Sequence, residues 1–187
     1  GLEQQATHDA LTGLPNRYGL PDRLGVATRQ AAIGGTLCAV YFIDVDRLKA
    51  VNDMLGHRAG DLLIRATADR LSARVGPRVT RFGGDEFVLV VEDTRSASEA
   101  EELGRRIVAD LARPIEVEGN HVRSSASVGL TLADRSTTPD ELLRQADVAL
   151  YRAKALGRSC LATYSVDEDT GLDADLDLEP ELRRAVD

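Results

Sequence analysis

A chain of 187 residues, 43% hydrophobic and 29% charged, suits one compact domain and argues against a disordered tail. No run approaches the roughly 18 apolar residues of a membrane helix, no secretion signal opens the chain, and two cysteines are too few for a disulfide framework or a zinc site, so a reducing cytoplasm without membrane contact is expected. The net charge of −8 is concentrated at one end: from Ser165 to Asp187 nine acids stand against two bases, leaving −1 for the remainder, which disfavours a nucleic acid polymer as partner but not a single nucleotide.

Residues 2–9 read as the end of a short polar helix, followed by the turn-rich LTGLPN and a segment running to about Ile33. TLCAVYFIDVD is a continuous apolar run rich in β-branched and aromatic residues, the pattern of a strand buried on both faces. Helical spacing over roughly 47–54 and 58–75, broken at Gly56, predicts a helical hairpin after it. RVTRFGGDEFVLVVED reads as a β-hairpin whose turn at Gly83-Gly84 requires positive φ. A helix over 97–112 follows, then PIEVEGNHVRSSASVGLTLA as a second hairpin turning at 118–120. A helix over 138–156, capped by Thr138 with Pro139 in its first turn, precedes LATY as a last strand. The order β-α-α-β-β-α-β-β-α-β mixes hairpins with crossovers and predicts an α+β fold, a central mixed sheet wrapped by helices.

Asp44 and Asp46 close the apolar strand, where alternate side chains face the same way, and Asp85 and Glu86 sit at a Gly-Gly turn. Acids at strand ends are most often solvated turn residues. An apolar strand ending in Asp-Val-Asp beside a hairpin presenting Gly-Gly-Asp-Glu can also gather carboxylates, the ligands Mg²⁺ uses when phosphates complete its shell. Gly83 and Gly84 suit a hairpin turn and equally let backbone approach a ligand. Lys154 and Arg158, four apart, share a helical face and can clamp a polyphosphate, or they simply complement the helix dipole. Lys49 opens a helix against the dipole, which favours a phosphate partner. His8, His57 and His121 are scattered, and neither a hydrolytic triad nor a P-loop has support.

RFGGDEF, with FIDVDRLKAVNDMLGHRAGD before it, HDALTGLPNR at the start and ADVALYRAKALGRS near the end, resembles the GGDEF family of diguanylate cyclases over about residues 5–164. The resemblance implies a largely antiparallel sheet related to the palm of adenylyl cyclases and polymerases. It implies condensation of two GTP into cyclic di-GMP with release of pyrophosphate, by attack of a ribose 3′-hydroxyl on the α-phosphate held by a second copy of the domain. It further implies that Asp44 and Asp85 ligate Mg²⁺, or Mn²⁺ in its place, with help from the Val45 carbonyl. Glu86 completes the catalytic set, at the metal or near the 3′-hydroxyl. Arg47 and Leu48 would offer backbone N–H groups to the phosphates, and Lys49, Lys154 and Arg158 positive charge. Asn52 and Asp61 match the guanine-reading positions: a carboxylate suits the base's N1–H and N2 donors and an amide its acceptor edge. Taken without the resemblance, Asn52 reads as a helix-end cap.

The chain departs from the family pattern in three places. Where many members carry an inhibitory, product-binding RxxD, it has Arg74-Val75-Gly76-Pro77. Leu48 replaces a usual Phe, and Ser159 a common Asn. Residues 1–9 resemble the end of a linker helix from an N-terminal sensor, with Asp9, Asn16 and Arg17 in the family's opening motif. On this resemblance residues 10–164 form the GGDEF domain, and 165–187 an acidic linker whose last residues, DLDLEPELRRAVD, resemble the start of an EAL phosphodiesterase domain. In such a fusion the alternative to a cyclase is a non-catalytic GTP-binding domain that regulates its EAL neighbour.

Overall fold

The computed structural model describes residues 7–133 and 136–166. Most of the expected linker helix and nearly all of the acidic stretch and EAL start lie outside them. The expected helix has ended by His8, which pairs with Pro15 in an isolated bridge.

The buried run forms β1 (Leu37–Val45), and only Leu37 among its residues escapes full burial. A strand so apolar on both sides must be covered twice. Alternation sends Ala39, Tyr41, Ile43 and Val45 into one core, with Leu63, Ile64, Leu71, Ala100 and Ile107. Cys38, Val40 and Phe42 enter the other, with Leu20, Leu24, Leu142, Ala146 and Leu150. Helices α3 (His57–Val75) and α4 (Ala97–Leu111) thus cover one face, and α1 (Leu20–Gly34) and α5 (Pro139–Ala155) the opposite one. The short α2 (Leu48–Leu55) packs on α3.

With β2 (Val79–Gly83), β3 (Glu86–Thr94), β6 (Ala126–Ala133) and β7 (Leu161–Thr163), the sheet has the order β2-β3-β1-β6-β7. All pairings are antiparallel except β6 with β7. This is the mixed, largely antiparallel sheet expected. Thr138 caps α5, its side chain accepting from Glu141 N–H, also as expected.

Two readings change. Residues 20–34, whose element type the sequence left open, are a helix with Pro21 in the first turn and Leu20, Leu24, Ala27 and Ala31 buried at helical spacing. The second hairpin is only half a hairpin. β4 (Ile115–Val117) and β5 (Asn120–Val122) pair across the expected turn as a separate two-stranded ribbon, while the chain beyond runs on as β6 into the main sheet. Gly129 on β6 explains how α5 lies so close, because a Cβ there would collide with the helix backbone at Ala146 and Leu150.

Candidate active site

The β2–β3 hairpin turns through Gly84 and Asp85, and the positive φ falls on Gly84, at +38°. Register then places Glu86 directly opposite Asp44, the next-to-last residue of β1. Val45 N–H donates to the Asp85 carbonyl at 3.0 Å, tying the turn to the strand end. The sequence-predicted Asp44, Val45, Asp85 and Glu86 are therefore together at one edge of the sheet. Directly opposed like charges destabilise a strand pair. Burial pushes the Asp44 carboxyl up, with Asp85 and Asp46 adding to it, against a 2.7 Å hydrogen bond from Lys154 Nζ. Burial likewise pushes Glu86 up, reinforced by Asp44, Asp85 and Asp147. Asp147, on α5, escaped the sequence reading.

Among the described residues no three metal-ligating side chains form a ready cage. The available donors are oxygen only, from mutually repelling carboxylates and a backbone carbonyl, which is the chemistry of a Mg²⁺ site that expects phosphate oxygens to complete it. The residues fit the ion.

Asp46 behaves differently from its neighbour two residues back. It is 5% exposed and accepts from Ser125 Oγ at 2.6 Å, Ser127 Oγ at 2.7 Å and Ser159 N–H at 3.1 Å. These three donors occupy it, so Asp46 does not join Asp44, Asp85 and Glu86 but fastens the end of β1 to β6 and to the turn after α5.

That turn corrects another expectation. Helix α5 ends at Ala155, and Arg158 and Ser159 follow Gly157 with φ of +65° and +52°. Lys154 and Arg158 therefore do not share a helical face. Lys154 lies against Asp44, while Arg158 is held in the left-handed region by the turn that Asp46 fastens. Across from it α2 starts after Arg47, itself left-handed at φ +57°, and no side chain caps the helix. An uncapped N-terminus leaves N–H groups such as those of Leu48 and Lys49 facing outward and favours an anion. The Arg47, Lys49 and Arg158 side chains form no hydrogen bond or ion pair among the described residues. A cavity of about 660 Å³, lined by Arg47, Met54, Arg123 and Arg158 among others, opens beside this seat.

Asn52 does not cap its helix. Its Oδ1 is buried with no partner, against Gly60 in the first turn of α3. Asp61, the next residue, is exposed. Gly60 too escaped the sequence reading, although a glycine inside a helical pattern was a signal for it.

Comparison with known proteins gives the family. The family description "Diguanylate cyclase, GGDEF domain" matches residues 6–160. The chain belongs to the GGDEF family of diguanylate cyclases. It is 40% identical over 188 residues to MucR of Pseudomonas aeruginosa, a bifunctional diguanylate cyclase/cyclic di-GMP phosphodiesterase, covering 99% of this chain and 27% of MucR. It is 40% identical over 161 residues to the diguanylate cyclase TpbB of the same species, covering 84% of this chain and 37% of TpbB. The chain thus spans well under half the length of these relatives. The solved GGDEF domain of TpbB superposes with a TM-score of 0.84 at 36% identity, covering 89% of this chain and 99% of that one. The coiled coil and GGDEF domain of DgcB from Caulobacter crescentus, in complex with c-di-GMP, gives 0.78 at 27% identity, with 87% of each chain covered.

Two further features of this GGDEF domain concern its signature turn and the lost RxxD. Arg81 on β2 ion-pairs with Asp9 of the opening motif at 2.9 Å and donates from Nη2 to the Gly84 carbonyl at 2.6 Å. Partial burial works to raise the Asp9 carboxyl, but hydrogen bonds from Thr12 and Arg81 outweigh it and hold the group below its ordinary value. Arg74, which stands where the family's RxxD would begin, is bound to Asp110 at 2.6 Å, and Pro77 offers only its carbonyl, which accepts from Arg23 at 2.7 Å. No helix among the described residues is long and apolar enough to cross a membrane.

Proposed function

We propose that the chain is the catalytic GGDEF domain, spanning residues 10–164, of a cytoplasmic diguanylate cyclase that condenses two GTP into cyclic di-GMP. The observation that carries this reading is the gathering of three carboxylates, Asp44, Asp85 and Glu86, of which Asp44 alone has a cation partner, Lys154, beside an uncapped helix N-terminus and cations without partners among the described residues. A domain that merely packed would have no reason to gather like charges there and leave cations beside them unpaired.

Each domain binds one GTP. The base lies against Asn52 and Asp61, and a buried polar group left unpaired by the wrong base costs about 1–3 kcal/mol, enough for two such groups to separate GTP from ATP. The N–H groups of Leu48 and its neighbours, with Lys49, Lys154 and Arg158, hold the triphosphate. The bare backbone at Gly83 and Gly84 leaves room for it beside the turn, since open space surrounds both positions. Asp44, Asp85 and the Val45 carbonyl would hold Mg²⁺ or Mn²⁺, which when bound neutralises charge developing on the attacking oxygen and the pyrophosphate. Glu86, whose proton affinity is raised by burial and its acidic neighbours, takes the proton of the 3′-hydroxyl. Lys154 hydrogen-bonds Asp44 and keeps that carboxylate oriented.

Cyclic di-GMP joins two guanylates by two phosphodiester bonds, so with one GTP held per domain each 3′-hydroxyl must attack the α-phosphate held by the other copy, and two copies act face to face. A sensor precedes this domain and an EAL phosphodiesterase follows it. The test is incubation with GTP and Mg²⁺ at several protein concentrations, with nucleotides separated afterwards, repeated with a leucine-zipper fusion. Cyclic di-GMP that rises more than linearly with protein, or appears only in the fusion, is the expected result. GTP binding without product in both formats would instead make the domain a regulator of its EAL neighbour.

A further inference from the structure

Gly60 stands in the first turn of α3, in ordinary helical conformation and fully buried. Neither conformation nor helix propensity asks for glycine there, because alanine is the better helix former. The space explains it. A Cβ on Gly60 would collide with Asn52 Oδ1 and stand 2.8 Å from Asn52 Cγ and 3.3 Å from Nδ2. The amide of α2 therefore lies in the room that the missing side chain leaves on α3.

The amide lies one way round in this seat. Its oxygen is buried against Gly60 without a partner, whereas its nitrogen is not among the buried unpartnered atoms and forms no bond among the described residues. The end presented outward is thus the donor end. Immediately after Gly60, Asp61 is exposed with a carboxylate that can only accept when ionised. The pair offers an amide donor beside a carboxylate whose two oxygens can accept from two adjacent N–H groups. Guanine presents N1–H beside its N2 amino group, together with acceptors for the amide, whereas adenine has no ring N–H beside its single amino group.

We propose that Gly60 is a specificity-determining position, whose lack of a side chain seats the Asn52 amide with its donor end toward the base. The inference rests on the assignment of Asn52 and Asp61 to guanine. Gly60 itself touches no reacting atom and acts through Asn52.

The test measures GTP and ATP binding to the chain, without turnover, together with thermal melting. Gly60→Ala should weaken GTP binding about tenfold or more while leaving ATP binding within about twofold, with no loss of melting temperature. In an Asn52→Ala background, where no amide remains to be displaced, adding Gly60→Ala should change GTP binding by no more than about twofold. A folded Gly60→Ala protein that keeps the wild-type GTP-to-ATP ratio would overturn the inference while leaving the cyclase reading intact. Absence of any GTP preference in the wild type would overturn the guanine assignment itself. If Gly60→Ala fails to fold but the double variant folds, the collision with Asn52 is confirmed. If both fail, glycine serves helix packing alone and the proposal falls.

Discussion

Cations at two corners of the domain are treated in opposite ways. At the corner between α3 and α4, every arginine is occupied. Arg70 donates to the carbonyls of Asp110, Arg113 and Pro114, and Arg74 and Arg113 both ion-pair with the Asp110 carboxylate. Where β1 ends, Arg47, Lys49 and Arg158 have no such partners among the described residues, and two of the three sit on backbone in the left-handed region. That conformation is costly for residues with a Cβ. Holding side chains without partners on such backbone suits a place where an anion arrives from outside. The first corner is finished by folding, and under the proposed function the second is finished by the triphosphate of GTP.

The contrast is broken most severely at the carboxylates. Asp85→Ala should leave the fold intact, because its side chain is a turn residue and only its carbonyl, held by Val45 N–H, ties the hairpin. Cyclic di-GMP synthesis should fall about 10³-fold or more, the loss of several kcal/mol of charge stabilisation. Full activity would remove Asp85 from the site. Asp46→Ala should do the reverse in emphasis. It orphans Ser125, Ser127 and the Ser159 N–H in a buried place, so thermal unfolding should report a loss of about 2 kcal/mol, a Tm lower by about 4–8 °C. GTP binding should weaken with it, since the turn holding Arg158 is released. A smaller change sharpens the same point: Arg158→Ala removes a cation without partners, so Tm should stay within about 1–2 °C while GTP affinity drops about tenfold. A fall in Tm as large as that of Asp46→Ala would mean that Arg158 is structural.

How far the sequence anticipated this depends on the range of the interaction. β1 was legible because its burial on both faces is written as an unbroken apolar run, and the signature hairpin because Gly-Gly marks its turn. The carboxylates that meet there were legible for the same reason. What stayed hidden was decided by distant partners. Nothing in Asp-Val-Asp separates Asp44, bonded to Lys154 from α5, from Asp46, consumed by two serines some 80 positions away. The strand after Arg123 was merged with its hairpin because alternation alone cannot tell which sheet a strand joins. Arg158 was placed on a helical face by spacing, although Gly157 in that spacing marked the helix end.

The smallest expected effect lies at the finished corner. The family resemblance implies that an intact RxxD binds the product through its arginine and the acid three residues on. Here Arg74 is closed twice by Asp110, through Nε at 2.7 Å and Nη2 at 2.6 Å. Pro77 cannot supply a side-chain acceptor for guanine N–H groups, and its carbonyl already accepts from Arg23. A ligand would have to break the Asp110 pair and find no acid to replace it. Cyclic di-GMP should therefore not inhibit through this corner, and Arg74→Ala should leave both turnover and product inhibition unchanged. Its cost should be confined to stability, about 1 kcal/mol or less for a partly exposed pair. Titration of the wild type and Arg74→Ala with cyclic di-GMP checks this. Submicromolar binding that disappears in the variant would show that proline does not close the site, and that Arg74 exchanges Asp110 for the product.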